Sequence, residues 1–164
     1  MTEDKKNRVY SFLNQLEIPY EIVDHPPLFT EADNVKHRMN INAIIFKNLF
    51  LRNSDKSKYY LLSLPLVKRA DLIKLRSILN ESRLSFGDEN ALMEKLKIRP
   101  GSVSFLNAID HPNTDVVFLV DNEIFNASRF GIHPNDNTST VVFSPLAIPK
   151  IFECLGVKYS FLEL

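Results

Sequence analysis

The sequence predicts an α+β fold in a single domain, residues 1–164, with a mixed, mostly antiparallel sheet flanked by helices. Three observations lead there. The chain has 164 residues, of which 45% are hydrophobic and 24% charged, enough for one substantial core. Strand-like apolar runs are interspersed with segments of helical spacing and hairpin turns, without a regular βαβ repeat. Connections are short, with no internal repeat, low-complexity tract or long linker.

Each element has a local reason. Residues 3–17 place Val9, Phe12, Leu13 and Leu16 on one helical face, and Pro19 ends that helix. Residues 20–23 alternate as a short strand. His25-Pro26-Pro27 is a stiff extended turn, after which Thr30 caps a helix over 31–36, with Asp33 at the capping-box position. Residues 43–52 (AIIFKNLFLR) carry the strongest strand signal, and residues 58–64 return from a turn as the second strand of a hairpin. Residues 68–79 and 88–96 read as helices. Arg99-Pro100-Gly101-Ser102 is a turn, residues 116–120 a core strand, 123–126 a short strand and 138–143 another. Ser144 and Pro145 open a final helix as N-cap and first residue, Gly156 closes it, and residues 158–162 form the last strand.

Composition excludes several classes. Twenty basic residues balance twenty acidic ones, which argues against binding driven by bulk positive charge. The single cysteine, Cys154, excludes an internal disulfide and a multi-cysteine zinc site, and its place at the apolar end of the last helix suggests a small core residue. No run approaches the ~20 apolar residues of a membrane span, and the charged N-terminus lacks a signal-peptide block, so a cytoplasmic location is expected. His25, His37, His111 and His133 match no metal-ligand spacing, and no metal or cofactor is expected. Walker loops, dinucleotide fingerprints and nucleophile elbows are absent.

Two places stand out for chemistry. Lys47-Asn48 interrupts an apolar strand, where a lysine either snorkels outward or lines a site. His133 lies in a loop of turn formers, Gly131 to Asn137, beside a core strand, and can be structural, solvated or functional. Gly101 offers backbone amides and carbonyls in a turn whose simpler role is to connect two elements.

The order His25-Pro26-Pro27-x-x-Thr30, Phe46-Lys47-Asn48-Leu49-Phe50-Leu51, Pro100-Gly101-Ser102-Val103 and Gly131-Ile132-His133-Pro134-Asn135-x-Asn137-Thr138-x-Thr140 resembles the YbaK/prolyl-tRNA-synthetase-associated domain family. Within it the chain is most similar to the free-standing alanyl-tRNA(Pro) editing proteins, over about residues 5–162. That resemblance implies a YbaK-like domain and a trans-editing deacylase, which hydrolyses alanine wrongly esterified to tRNA(Pro). By position it implies Lys47, Gly101 and His133 as catalytic, with Asn48, Thr30, Ser102, Gly131 and Asn137 in substrate binding. The implied partner is the acceptor end of mischarged tRNA(Pro), with prolyl-tRNA synthetase or elongation factor as further partners, and no membrane. One departure is Phe105, where many relatives carry proline; it is expected to reshape the pocket. It keeps open removal of another residue, cysteine or serine, and a non-catalytic tRNA-sensing role.

The neutral charge is an average over unlike segments. Residues 36–76 hold ten basic and two acidic residues, a net of +8 that the rest of the chain cancels. Arg52, Lys56 and Lys68 in this segment are the expected tRNA contacts beside Lys47.

Overall fold

The computed structural model describes residues 2–38 and 41–164; Met1, Met39 and Asn40 lie outside it. Five α-helices are described: α1 (Thr2–Gln15), α2 (Glu31–Arg38), α3 (Leu72–Ile78), α4 (Glu89–Leu96) and α5 (Ile148–Leu155). Eight strands form one sheet: β1 (Tyr20–Asp24), β2 (Ile44–Asn53), β3 (Tyr59–Pro65), β4 (Leu84–Phe86), β5 (Val117–Asp121), β6 (Phe130–Ile132), β7 (Ser139–Phe143) and β8 (Lys158–Leu162). Their order is β1-β7-β6-β2-β3-β5-β8, with β4 added to β2. Pairings β1–β7, β2–β3, β2–β4 and β6–β7 are antiparallel; β2–β6, β3–β5 and β5–β8 are parallel. The α+β expectation with a mixed, mostly antiparallel sheet therefore holds.

Six strands fall within a residue of their expected ends, and the differences have local causes. The helix expected over 68–79 starts only at Leu72, because Asp71 caps it by accepting from Lys74 N at 2.9 Å. Residues 122–126 are a 3₁₀ turn rather than a strand: the Asp121 carboxylate accepts from Glu123 N at 3.0 Å and holds the turn. The final helix is split into a 3₁₀ turn, Pro145–Ala147, and α5. Pro149 has no N–H to donate back to Pro145, so one α-helix cannot run unbroken through both. Cys154 is exposed rather than buried; the residues that α5 buries are Ile148, Ile151, Phe152 and Leu155. Strands β4 and β6, three residues each, and the 3₁₀ helix Phe105–Ile109 are additions.

The core lies on the side of the sheet that carries Phe46, Phe50, Phe118, Phe130 and Phe143, against Val9 and Leu13 of α1 and Ile151 and Phe152 of α5. Edge-to-face contacts link Phe130 to Phe46 at 5.4 Å and to Phe143 at 5.7 Å between ring centroids. A second cluster (Leu51, Tyr60, Leu62, Leu64, Leu75, Leu119) sits under α3.

One feature of the topology positions everything that follows. On one edge β2 pairs with β6 only through Ile44 and Ile45, and with β4 only from Leu51 onward. Between them, among the described residues, no strand pairs with that edge. The opening falls at residues 46–50, where Lys47 and Asn48 lie.

Candidate active site

The opening is the floor of a cavity of about 370 Å³. Phe46 to Phe50 of β2 form one wall, Phe86 to Glu89 at the β4–α4 junction a second, and Pro100, Gly101 and Val103 a third. His133 and Asn34 close it. A smaller, more enclosed chamber of about 40 Å³ adjoins it and shares Asn34, Phe46, Asn48, Val103 and His133. Its own walls are Ile45, Gly131, Ile132 and Thr140.

Lys47 is half-buried and enters none of the ion pairs among the described residues. A lysine that lines a cavity and pairs with neither of its carboxylates, Asp88 and Glu89, leaves its charge for an anionic or polar ligand. Asn48 is oriented by its neighbour on β3: Ser63 Oγ donates to Asn48 Oδ1 at 2.6 Å, leaving the amide N–H groups unspent. Gly101 has φ +94°, a conformation that favours glycine, and nothing lies within 4 Å of where a Cβ would sit.

The His133 loop is fastened from several sides. Asn107 is the hub: its Nδ2 donates to Ser102 O at 3.3 Å and to Asn135 Oδ1 at 2.7 Å, and its Oδ1 accepts from Ser104 N at 2.8 Å. One buried side chain thus ties the Gly101 loop to the His133 loop. His133 is pushed down to about 4, first by burial and then by neighbouring His25 and His37, so its imidazole is neutral at neutral pH. His25 donates Nδ1–H to Pro26 O at 2.9 Å, since a carbonyl only accepts, and Nε2 pairs with Thr140 Oγ1 at 3.0 Å. The His25 ring lies 4.1 Å from that of His37 and 5.6 Å from that of His133, centroid to centroid. Burial, with His25 beside it, lowers the His37 pKa as well. Among the described residues no group of three His, Cys, Asp or Glu side chains is placed to hold a metal ion.

The remaining sequence candidates separate. Gly131 lines the small chamber, where a Cβ would come within 2.5 Å of Ile45 Cδ1. Thr30 caps α2, with Oγ1 accepting from Asp33 N at 3.0 Å while Asp33 Oδ2 accepts from Thr30 N at 3.1 Å. Asn137 clamps the backbone of Leu28 through both its N–H and its C=O, at 2.8 and 3.0 Å, and so anchors the His25-Pro26-Pro27 segment. Ser102 contributes its carbonyl to Asn107. Neither Thr30, Asn137 nor Ser102 lines the cavity or the chamber.

The expected basic contacts lie away from the pocket. Arg52 is five residues along β2 from Lys47, about 16 Å at strand rise, and donates to Asn53 O. Lys56 is exposed at the hairpin turn. Lys68 is held by Asp121 at 2.8 Å and Glu123 at 2.6 Å, so its charge is already matched. Phe105 does not touch the pocket. It is fully buried against Phe130 and Phe152, and its effect there falls on core packing. The wall formed by Phe86 to Glu89, and the contributions of Asn34 and Asn107, had no sequence signal beyond turn-forming residues.

The profile of the aminoacyl-tRNA editing domain family matches residues 25–151. The chain is 31% identical, over the whole of both chains, to the prolyl-tRNA editing protein ProX of Acetoanaerobium sticklandii. It is 31% identical over 137 residues to the prolyl-tRNA synthetase associated domain-containing protein 1 of Mus musculus, covering 81% of this chain and 80% of that one. A solved structure offered as a candidate trans-editing enzyme for prolyl-tRNA synthetase shares the fold, with a TM-score of 0.68 at 15% identity, covering 98% of this chain and 97% of that one. No described helix is long and apolar enough to cross a membrane. With a cavity at the split of the sheet, an unpaired lysine on its floor and kinship along its full length, the chain is an editing enzyme of the aminoacyl-tRNA editing domain family.

Proposed function

We propose that the protein hydrolyses the ester of alanyl-tRNA(Pro) in trans, releasing alanine and free tRNA. The observation that carries this reading is the small chamber. Its volume of about 40 Å³ is roughly a tenth of the outer cavity's 370 Å³, which favours a small side chain. Its apolar walls are Ile45, Phe46, Val103 and Ile132. Alanine presents one methyl to it. Proline presents three methylenes tied into a ring, which would overfill it at a cost of about 1–3 kcal/mol or more. A synthetic site that accepts proline cannot strongly reject the smaller alanine, so discrimination has to come from a second site that excludes by size.

In the proposed chemistry, water adds to the ester carbonyl, the bond to the ribose oxygen breaks, and that oxygen leaves with a proton. Lys47 holds the terminal nucleotide through phosphate or ribose oxygens. The free Asn48 amide and the exposed backbone at Gly101 orient the ester and receive the developing oxyanion. His133, neutral, is a wall and hydrogen-bonding group rather than a cation. No protein nucleophile is required, because the neighbouring ribose hydroxyl assists. The acceptor end of mischarged tRNA(Pro) is the partner, with prolyl-tRNA synthetase or elongation factor delivering it in the cytoplasm.

A second reading, removal of serine or cysteine, is favoured by the polar side of the chamber, Thr140 and Asn34. One experiment separates these readings. Purified protein is incubated with alanyl-, prolyl-, seryl- and cysteinyl-tRNA. Selective loss of the alanyl ester supports the proposal, and selective loss of the seryl or cysteinyl ester moves the specificity. Tight tRNA binding with all four esters stable would mean a sensor instead of an enzyme.

A further inference from the structure

We propose that Phe86 is a stacking platform for the nucleobase adjoining the ester, an amine-bearing base such as adenine; this rests on the deacylase reading. The ester joins the acyl group to a ribose, and the base hangs from that same sugar. Once the acyl group enters the small chamber, the base is carried to the mouth of the larger cavity. There Phe86 is 62% exposed, and of the exposed large hydrophobic side chains among the described residues it alone lines this cavity.

The ring is displayed from fixed backbone. Phe86 is in register with Leu51 on β2, and Gly87 N donates to Phe50 O at 2.9 Å. Gly87 packs so closely that a Cβ would meet the Phe50 ring at 2.5 Å. Asp88 then caps α4, accepting from Ala91 N at 2.8 Å. A rigid aromatic face at a polar mouth is what base stacking uses, and every base offers a π-face.

Charge sets the direction. Asp88 and Glu89 follow Phe86 and line the same cavity, so a phosphodiester along this wall would meet two carboxylates. Lys47 lies on the β2 wall. The phosphates therefore run toward Lys47 and the base toward Phe86. The exposed Glu89 carboxylate accepts from an exocyclic amine, which adenine and cytosine carry and hypoxanthine lacks.

The test is binding of a non-hydrolysable analogue, 3′-alanylamido-3′-deoxyadenosine, alongside the matching compound without a base. The wild-type protein should bind the adenosine compound more tightly than the abasic one. Phe86→Ala and Phe86→Leu should each weaken the adenosine compound by about 5- to 150-fold, leave the abasic compound unchanged, and raise KM for alanyl-tRNA with kcat retained. Phe86→Trp should restore binding. The proposal is overturned if Leu serves as well as Phe, if base and abasic compounds bind equally, or if neither binds. Loss of the deacylase reading would appear separately, as base-dependent binding without hydrolysis.

Discussion

Replacing Gly131 by alanine tests the size sieve from inside. The new Cβ would sit 2.5 Å from Ile45 Cδ1, 3.1 Å from Thr140 Cγ2 and 3.8 Å from Val142 Cγ2. Ile45 Cδ1 is the end of a flexible side chain and can turn aside, so the variant should fold, at an overpacking cost of about 1–3 kcal/mol. For a domain of this size that is a fall of about 2–12 °C in Tm. The added methyl stands against Ile45 and Thr140, two of the chamber's walls, and so narrows it. An alanyl group then meets the same steric penalty, and kcat/KM for its ester should drop by about 5- to 150-fold. A glycyl ester, with no side chain to place, should lose little. The assay is the initial rate of ester loss from alanyl- and glycyl-tRNA, with circular dichroism and thermal melting as controls for the fold. Adding Ile45→Val removes the clashing Cδ1 and should recover the lost Tm. A folded Gly131→Ala protein that cleaves the alanyl ester at the wild-type rate would refute the reasoning, because the chamber would not then be the acyl pocket.

Further outcomes follow from the same geometry. Lys47→Ala should reduce deacylation at least 100-fold while shifting stability by no more than about 0.5 kcal/mol, since no carboxylate loses a partner; full activity in the folded variant would remove Lys47 from the mechanism. His133 titrates at about 4 in the fold against 6.5 ordinarily, so between these values the unfolded chain binds more protons. Its contribution to stability is therefore full above pH 6.5, declines as the pH falls, and is lost below about 4, by at most about 3 kcal/mol. Urea titrations at several pH values should show this acid limb, and His133→Asn should flatten it; an unchanged slope would acquit His133. Lys68→Ala leaves Asp121, which is 1% exposed, without its countercharge. It should destabilise by about 1–3 kcal/mol and leave tRNA affinity and its salt dependence alone. A loss of tRNA affinity at unchanged Tm would restore Lys68 as a phosphate contact.

The sequence was most legible where one local cause dominates. The β2 run is apolar for most of its length and had no other reading than a core strand; Lys47-Asn48 was conspicuous because it interrupts that run. The Thr30–Asp33 capping box involves residues three apart, and such contacts form whatever the rest of the chain does. Strands β4 and β6 went unseen because three residues cannot display a period of two. Residues 123–126 resembled a strand until the Asp121 carboxylate, fixed by its burial and by Lys68, claimed the Glu123 amide.

The candidate site was legible in its residue types and not in its arrangement. Lys47, Asn48, Gly101, Gly131 and His133 could be named by the motif pattern, yet Thr30, Ser102 and Asn137 stood in the same motifs and line neither the cavity nor the chamber. The basic run 36–76 pointed to Lys47, but it could not say that Lys68 is matched by Asp121 and Glu123, residues more than fifty positions away. Phe105 looked like a change in the pocket and is a change in the core, because its side chain turns toward Phe130 and Phe152. Whether a polar side chain binds substrate or binds its own protein depends on which partner reaches it first in space.

What the sequence by itself determined is the α+β class, the six longer strands, the caps at Thr30, Ser144 and Gly156 and the family's set of polar residues, all of which depend on neighbours within a few positions or on an order of motifs along the chain. Only the tertiary structure decided that β2 loses its edge partner between β6 and β4, and that a small chamber opens there between Gly131, Ile45 and Thr140. A cavity is the space left over when distant segments pack. Its volume is set by all of their side chains together, so it is written in no single stretch of sequence.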